Sequence, residues 1–483
     1  MNRKMVLFTT GELLLLEAAL LLLPTAVSVL YRESTTPYFL ITVAIALCIG
    51  GAMCLLFRPQ SRVIYAKEGF IITTLSWLSL SAIGALPFYL SGEIPSYTDA
   101  FFETVSGFTT TGASILANVE ALSRSLLFWR SFTHWIGGMG VLVLMMAIIP
   151  PSEGSSGRSI HIMRAEMPGP VVGKLVPRVR ETAKILYLIY IIMTLTQFIL
   201  LALGGMPVFD SLLHAFGTAG TGGFGIKVDS FAGYSPYLQW ITTVFMLLFG
   251  INFNIYYLLL VRSFRSALRS TELWCYLGIT AVSVSLITVN ILPLCTGIGD
   301  ALRHAAFQVA SIITTTGYAT VDFDLWPQLS RAILFLLMFV GACAGSTGGG
   351  MKVSRLIILA RSAKQSIYRM LHPRSVSVVR FEGKPVEHTT LDGLATYMTL
   401  YFLSIAIGFL ILSLEPFDFE TNLSAIVSCF NNIGPGLGAV GPSMNYAAYS
   451  QPAKLVLSAA MLFGRLEILP ILIAISPSTW TKK

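Results

Sequence analysis

Thr110, Thr111 and Gly112 lie in the run "SGFTTTGAS" (106–114), small and hydroxyl-bearing residues set between two apolar stretches. Three more runs align with it on a single glycine: "DAFFETVSGFTTTGA" (99–113) is matched by "DSLLHAFGTAGTGGF" (210–224), "HAAFQVASIITTTGY" (304–318) and "TNLSAIVSCFNNIGP" (421–435). The column before the anchoring glycine reads Thr110–Thr111–Gly112, Thr221–Gly222–Gly223, Thr315–Thr316–Gly317 and Asn432–Ile433–Gly434. Six residues before that glycine stand Ser106, Gly217, Ser311 and Ser428. Hydroxyls, an amide and backbone carbonyls are oxygen donors. They suit the replacement of a cation's hydration shell, not acid–base work. Glycine belongs where a carbonyl must turn inward and φ is positive. The histidines (His134, His161, His214, His304, His372, His388) have no HxxxH or HxH spacing, and no two of the six cysteines form a CxxC pair. No catalytic constellation stands out, no covalent cofactor is expected, and His214 reads as a structural or interfacial residue.

The elements that must hold these runs are membrane helices. The chain has 483 residues, 54% hydrophobic and only 12% charged, with a mean hydropathy of +0.73. Apolar stretches long enough to cross a hydrocarbon core of about 30 Å recur from end to end. Ten are expected: 7–30, 38–57, 69–91, 126–150, 184–204, 238–261, 273–297, 328–363, 394–414 and 452–476. The run Leu13–Val29 has no small-residue cleavage site after it and reads as a retained helix. The connections alternate in charge. One set carries Arg58, Arg62 and Lys67, then Arg158, Arg164, Lys174, Arg178 and Arg180, then Arg262, Arg265 and Arg269, then a run from Arg355 to Lys384; both termini are basic too. The other set carries Glu93, Asp99, Glu103, Glu120, Asp210, Asp229, Asp300, Asp322, Asp324, Glu415, Asp418 and Glu420. Basic connections face the cytoplasm, so both termini are expected there. The formal charge of +8 is then a topology signal and not a nucleic-acid patch. The acidic face would concentrate cations.

Each aligned segment is too apolar for a loop and too short to span. Each is expected to be a half-helix starting at Asp99, Asp210, His304 (or Asp300) or Thr421, followed by an extended strand. The unit is helix, half-helix, strand, helix. Each unit crosses twice, so all four point the same way, which excludes an inverted-repeat carrier built from them. Four parallel copies close around an axis, with half-helix carbonyl ends and strand carbonyls facing it. The fold class is an all-α polytopic membrane protein: four such repeats around a central pore, after two extra N-terminal helices. Its parts are 1–66 (the extra helices), 67–183, 184–272, 273–390 and 391–483 (repeats one to four). The bland alternative, polar loops after interfacial helices, explains one such segment but not four in register.

This unit, repeated four times with one glycine per strand, resembles the Trk/Ktr/HKT superfamily of K⁺ transporters. "RAEMPGP" (164–170), "KLVPR" (174–178), "GACAGSTGGGMK" (341–352), "HPRSV" (372–376) and "GRLEI" (464–468) narrow the resemblance to the TrkH branch, over essentially the whole chain. The resemblance implies a multi-pass K⁺ uptake protein of the bacterial inner membrane, dimeric, and bound at its basic loops by a cytosolic TrkA-type nucleotide-binding ring. This chain has no GxGxxG after a strand, so nucleotide would sit on that partner. The resemblance makes the column residues the K⁺ selectivity filter. The second strand, "GTGGFG" (220–225), has glycines for threonines, and the fourth has Asn431, Asn432 and Ile433. Fewer ion sites than in a TVGYG filter are expected.

Glycines also interrupt the long run 328–363 at "GACAGSTGGG" (341–350). Under the resemblance, Gly345, Ser346, Thr347, Gly348, Gly349 and Gly350 form an intramembrane gating loop; small-residue helix packing at Gly341-x-x-x-Gly345 is the plainer alternative. Lys352 follows it, either acting on the loop or snorkelling to the basic face. Arg465, mid-span, is an electrostatic barrier or holds the loop through its carbonyls, unless it merely pairs with Glu467. The expected function is a K⁺-conducting pore subunit. A Na⁺-permeable or Na⁺-coupled symporter is the nearest rival, and a membrane-embedded enzyme a more distant one.

Overall fold

The computed structural model describes residues 2–59, 66–140, 179–375 and 377–480. The second half of the expected span 126–150, the strings at 164–170 and 174–178, and Arg62, Arg158, Arg164, Lys174 and Arg178 lie outside the described residues. Among the described residues six helices are long and apolar enough to cross a membrane: Arg3–Leu30 (with a local break at Leu21), Thr36–Leu56, Lys67–Leu90, Thr182–Leu203, Thr271–Leu294 and His388–Leu412. Two bent helix pairs bring the number to as many as eight among the described residues. Thr36–Leu56, Thr271–Leu294 and His388–Leu412 bury only 28% of their apolar window against protein, whereas Lys67–Leu90 buries 61%. The first three thus form the perimeter and turn Leu40, Ile41, Val282, Val289, Phe402 and Leu410 outward. In water such a surface would be an aggregation liability; in lipid it is the ordinary condition.

Inside this perimeter lie four short helices: Tyr97–Phe108, Val208–Ala219, Ile298–Ile313 and Phe419–Phe430. They begin a few residues before the expected starts. Ser96 caps the first, bonding the Asp99 N–H, and Asp418 caps the fourth, bonding the Thr421 N–H. Asp99, Asp210 and Asp300 instead fall in first turns, where a carboxylate complements the N-terminal end of the helix dipole.

Two expected spans are not straight rods. Within 238–261, Pro236–Phe249 and Phe253–Leu260 meet at 89°; within 452–476, Gln451–Arg465 and Leu469–Ile475 meet at 119°. The second break follows from Pro470 and from two left-handed residues, Glu467 (φ 59°) and Ile468 (φ 65°). The first has no proline at the bend. There the Gly250 carbonyl accepts from the Cys343 N–H at 3.1 Å, and the Phe253 N–H donates to the Gly345 carbonyl at 3.0 Å, so backbone groups freed by the bend find partners in the glycine-rich segment. The run 328–363 breaks as expected: Gln328–Leu337 is helical, 338–352 is not, and Val353–Leu371 resumes. Among the described residues the one β-ladder is a two-residue hairpin, Arg380–Phe381 with Lys384–Pro385.

Candidate functional site

Each short helix ends in the same turn. Thr110, Thr221, Thr315 and Asn432, two residues before the anchoring glycine, have φ of 56°, 54°, 59° and 56°. Asparagine tolerates the left-handed region; threonine is an outlier there, at roughly 1–2 kcal/mol per residue. A backbone bond holds each outlier in place. The N–H groups of Thr111, Gly222, Thr316 and Ile433 donate to the carbonyls of Ser106, Gly217, Ser311 and Ser428 at 2.9, 2.9, 2.8 and 3.0 Å. These acceptors are the column found six residues before the glycine, and the turn reverses the chain at the helix carbonyl end. The anchoring glycines follow, all left-handed: Gly112 (φ 80°), Gly223 (76°), Gly317 (86°) and Gly434 (102°).

The four turns form a closed ring. A methyl placed on Gly112 would sit 2.1 Å from the Gly222 carbonyl oxygen, one on Gly223 1.8 Å from that of Thr316, one on Gly317 2.1 Å from that of Ile433, and one on Gly434 2.7 Å from that of Thr111. Each repeat's glycine therefore abuts the next repeat's carbonyl, and the fourth returns to the first. Asn432 Nδ2 closes the seam with bonds to Thr111 Oγ1 at 3.0 Å and the Met461 carbonyl at 2.9 Å. Every candidate in the column from Thr110 to Gly434 thus falls in one place, and all four anchoring glycines line a single open vestibule with Arg130, Lys227 and Tyr446. Within repeats one and three the strand is tied by hydroxyl pairs, Thr109 with Thr111 and Thr314 with Thr316, each 2.8 Å apart.

On the far side of the ring from that vestibule lies the segment 338–352. The Gly349 N–H donates to Thr315 Oγ1 at 2.6 Å. A methyl on Gly349 would stand 2.9 Å from the Asn431 carbonyl oxygen, and one on Gly348 3.1 Å from that of Thr314. The segment therefore presses against the turns of repeats three and four. Thr347 Oγ1 bonds the Phe249 carbonyl at 3.3 Å, and Ser346 Oγ turns back on the Cys343 carbonyl at 2.6 Å. Two cations grip it. Lys352 Nζ bonds the carbonyls of Gly348 and, at 3.3 Å, Gly349. Arg465 reaches the Thr347 carbonyl at 3.1 Å, the Gly138 carbonyl at 2.9 Å and the Gly137 carbonyl.

A family model, TrkH, described as a cation transport protein, matches residues 35–482. The chain belongs to the TrkH family. It is 36% identical over 478 residues to the Trk system potassium uptake protein TrkH of Salmonella typhimurium, covering 97% of this chain and 98% of that protein. It is 33% identical to the Trk system potassium uptake protein TrkG of Escherichia coli K12, covering 99% and 98%. The crystal structure of the potassium transporter TrkH from Vibrio parahaemolyticus superposes with a TM-score of 0.88 at 32% identity, covering both chains in full.

Within this TrkH-family chain several sequence readings change. Lys352 does not snorkel: it is only 8% exposed and folds back on the glycine-rich segment. Glu467 does not pair with Arg465. It pairs with Arg355, whose guanidinium also stacks on Tyr397 at 4.1 Å. His214 is buried among Phe231, Tyr234 and Tyr318 and 3.3 Å from the Tyr234 hydroxyl, which fits its structural reading. Part of the acidic set is paired: Asp99 with Lys454, Glu103 with Arg130, Asp300 with Arg303, and Asp324 and Glu420 with Arg331.

Three residues escaped the sequence reading. Arg130 lies in an apolar run, which was a visible signal; it bonds Glu103 at 2.6 Å and the Gly225 carbonyl at 2.9 Å. Glu272 accepts the N–H groups of Ala344 at 2.8 Å and Ser354 at 3.0 Å, clamping both ends of the glycine-rich segment. His134 lies fully buried behind the second strand. Nothing in the spacing of these last two could have found them.

Proposed function

We propose that this chain is the pore-forming subunit of a K⁺ uptake system. Its ring of four turns acts as the selectivity filter, through the carbonyl and hydroxyl oxygens of Thr110, Thr111, Thr221, Gly222, Thr315, Thr316, Asn432 and Ile433. The observation that carries this is the closed ring, in which each anchoring glycine, left-handed and without room for a side chain, meets the next repeat's carbonyl. Such turns are strained, and strain retained four times over at one place points to function rather than packing. The relatives named as potassium uptake proteins support K⁺ as the cargo.

The loop from Gly345 to Gly350 is the gate. It lies against strands three and four, where an ion leaving the ring would have to pass, and Lys352 and Arg465 hold it there. Glycine-rich backbone moves at low steric cost. The repeats run 67–183, 184–272, 273–390 and 391–483, after two extra helices in 1–66. The basic end, with both termini, faces the cytoplasm of a bacterium across its inner membrane. There it meets a TrkA-type ring that binds the regulatory nucleotide, and the chain pairs as a homodimer.

The test is growth in a bacterium stripped of K⁺ uptake, with external K⁺ titrated and membrane levels checked. The wild type restores growth at low K⁺. Gly112→Ser and Gly434→Ser lower Rb⁺ uptake at least about tenfold or admit Na⁺. Silent glycine variants reduce the four turns to loops, and Na⁺-dependent Rb⁺ uptake in the wild type selects the symporter reading.

A further inference from the structure

Repeat two departs from its neighbours at two positions. Where repeats one and three place the pairs Thr109–Thr111 and Thr314–Thr316, repeat two has Gly220 and Gly222. One residue of another repeat fills both spaces. His134 comes from the helix Arg124–Met139, in repeat one. A methyl on Gly220 would stand 2.2 Å from the His134 carbonyl oxygen, and a methyl on Gly222 would stand 1.6 Å from its Nδ1. Neither glycine is needed for conformation: Gly220 has φ −70°, and Gly222 is not among the positive-φ glycines. Space alone demands them. The imidazole is fully buried, its ring centroid lies 4.1 Å from that of Phe224, and neither ring nitrogen has a hydrogen-bond partner among the described residues. Three groups thus stand in file: the His134 ring backs Gly222, and the Gly222 carbonyl meets Gly112.

We infer that His134 is a positioning residue for cation discrimination: its ring replaces the missing threonine pair, holds the Gly222 carbonyl against Gly112, and so sets the fit of the ring around the transported monovalent cation. This rests on the filter reading of the four turns. In repeats one and three the strand is anchored from within by a hydroxyl pair. In repeat two it is anchored from behind, by bulk. A close-packed contact of this kind has no slack, so a methyl added on one side is relieved only by atoms removed on the other.

The experiment is a double-mutant cycle on the full chain in the K⁺-uptake-deficient cell, reading Rb⁺ uptake and the K⁺ over Na⁺ ratio at matched membrane levels. Gly222→Ala alone lowers Rb⁺ uptake at least about tenfold, and His134→Ala/Gly222→Ala recovers most of that loss. His134→Ala alone lowers the K⁺ over Na⁺ ratio several-fold. Simple loss of stability would lower both fluxes together and leave the ratio alone. If His134→Ala does not reach the membrane, His134→Gln, which keeps most of the volume, carries the ratio test. The inference falls if Gly222→Ala is tolerated beside His134, if the double variant is no better than Gly222→Ala, or if the ratio does not move. Gly112→Ser, run alongside, separates the two levels: if it is silent the filter reading fails, and if it is damaging without rescue by His134→Ala only the role of His134 fails.

Discussion

Glu103 and Arg130 bury opposite charges 2.6 Å apart, with side chains 0% and 5% exposed. Their further bonds run to Ser114 Oγ at 2.9 Å, the Ile115 N–H at 3.0 Å and the Gly225 carbonyl at 2.9 Å. The pair therefore fastens the strand leaving the first turn to the strand leaving the second. Removing one partner strands a buried charge, which costs about 3–5 kcal/mol, whereas replacing both by apolar groups is far milder. Glu103→Leu and Arg130→Leu should each lower the melting temperature in detergent sharply, and Glu103→Leu/Arg130→Leu should regain most of the loss. A double variant no better than the worse single would mean that the outward bonds, and not the pair, hold the strands. At the same scale the anchoring glycines were legible because two requirements, positive φ and no space, converge on one residue type. The place of His134 behind Gly222 was not, because a lone histidine in an apolar run looks the same whether it faces lipid or a buried strand.

Among the elements, the half-helices were readable from their length and repetition, and so was the break in 328–363, while the two bent helix pairs were not read. The bend of 89° after Phe249 has no proline; its local marks are Gly250, which ends the first helix, and Asn252, whose side chain caps the second. It exists because the segment 338–352, nearly a hundred residues later, supplies partners for its freed backbone groups. The break near Arg465 could have been read from Pro470, but its angle of 119° depends on left-handed Glu467 and Ile468. The glycine-rich segment was visible as a break, and its grip was not: Glu272, Lys352 and Arg465 come from three separate elements. If this segment is a gate held shut by that grip, loosening it should raise basal flux. Arg465→Ala removes the bond to the Thr347 carbonyl, and Gly349→Ala forces the segment away from Asn431 and Asn432. Both should increase Rb⁺ uptake measured without the cytosolic partner, the opposite of the filter-glycine variants. Lower uptake in both would make the segment a strut for strands three and four. Arg465→Lys should behave like a weaker Arg465→Ala, because one ammonium cannot span carbonyls on two elements as the guanidinium fork does.

At the scale of the whole molecule, four unequal repeats share one ring, and contacts between the fourth and the first close it: Asn432 with Thr111, 321 positions apart, and Gly434 against the Thr111 carbonyl. Charge alternation in the sequence overstates the acidity of the mouth. A bare sequence shows carboxylates without their partners. Here Arg331 neutralises Asp324 at 2.9 Å and also Glu420, and Asp324 in turn bonds the Gly438 N–H at 3.0 Å beside the vestibule. With these acids paired, the mouth should steer cations more weakly than the bare count of carboxylates suggests. The KM for Rb⁺ should change less than about threefold between roughly 10 and 150 mM impermeant salt, a range over which the Debye length falls from about 30 to 8 Å. Arg331→Gln releases two carboxylates at once. It should lower KM at low ionic strength, and the gain should fade as salt is added, because a field from partly exposed charges is screened where a coordination site is not. A KM that falls equally at both salt levels would mean that Arg331 acts by shaping the vestibule. A wild type already strongly salt-dependent would mean that the unpaired acids, Asp210, Asp229 and Asp322 among them, dominate the field despite the pairing around Arg331.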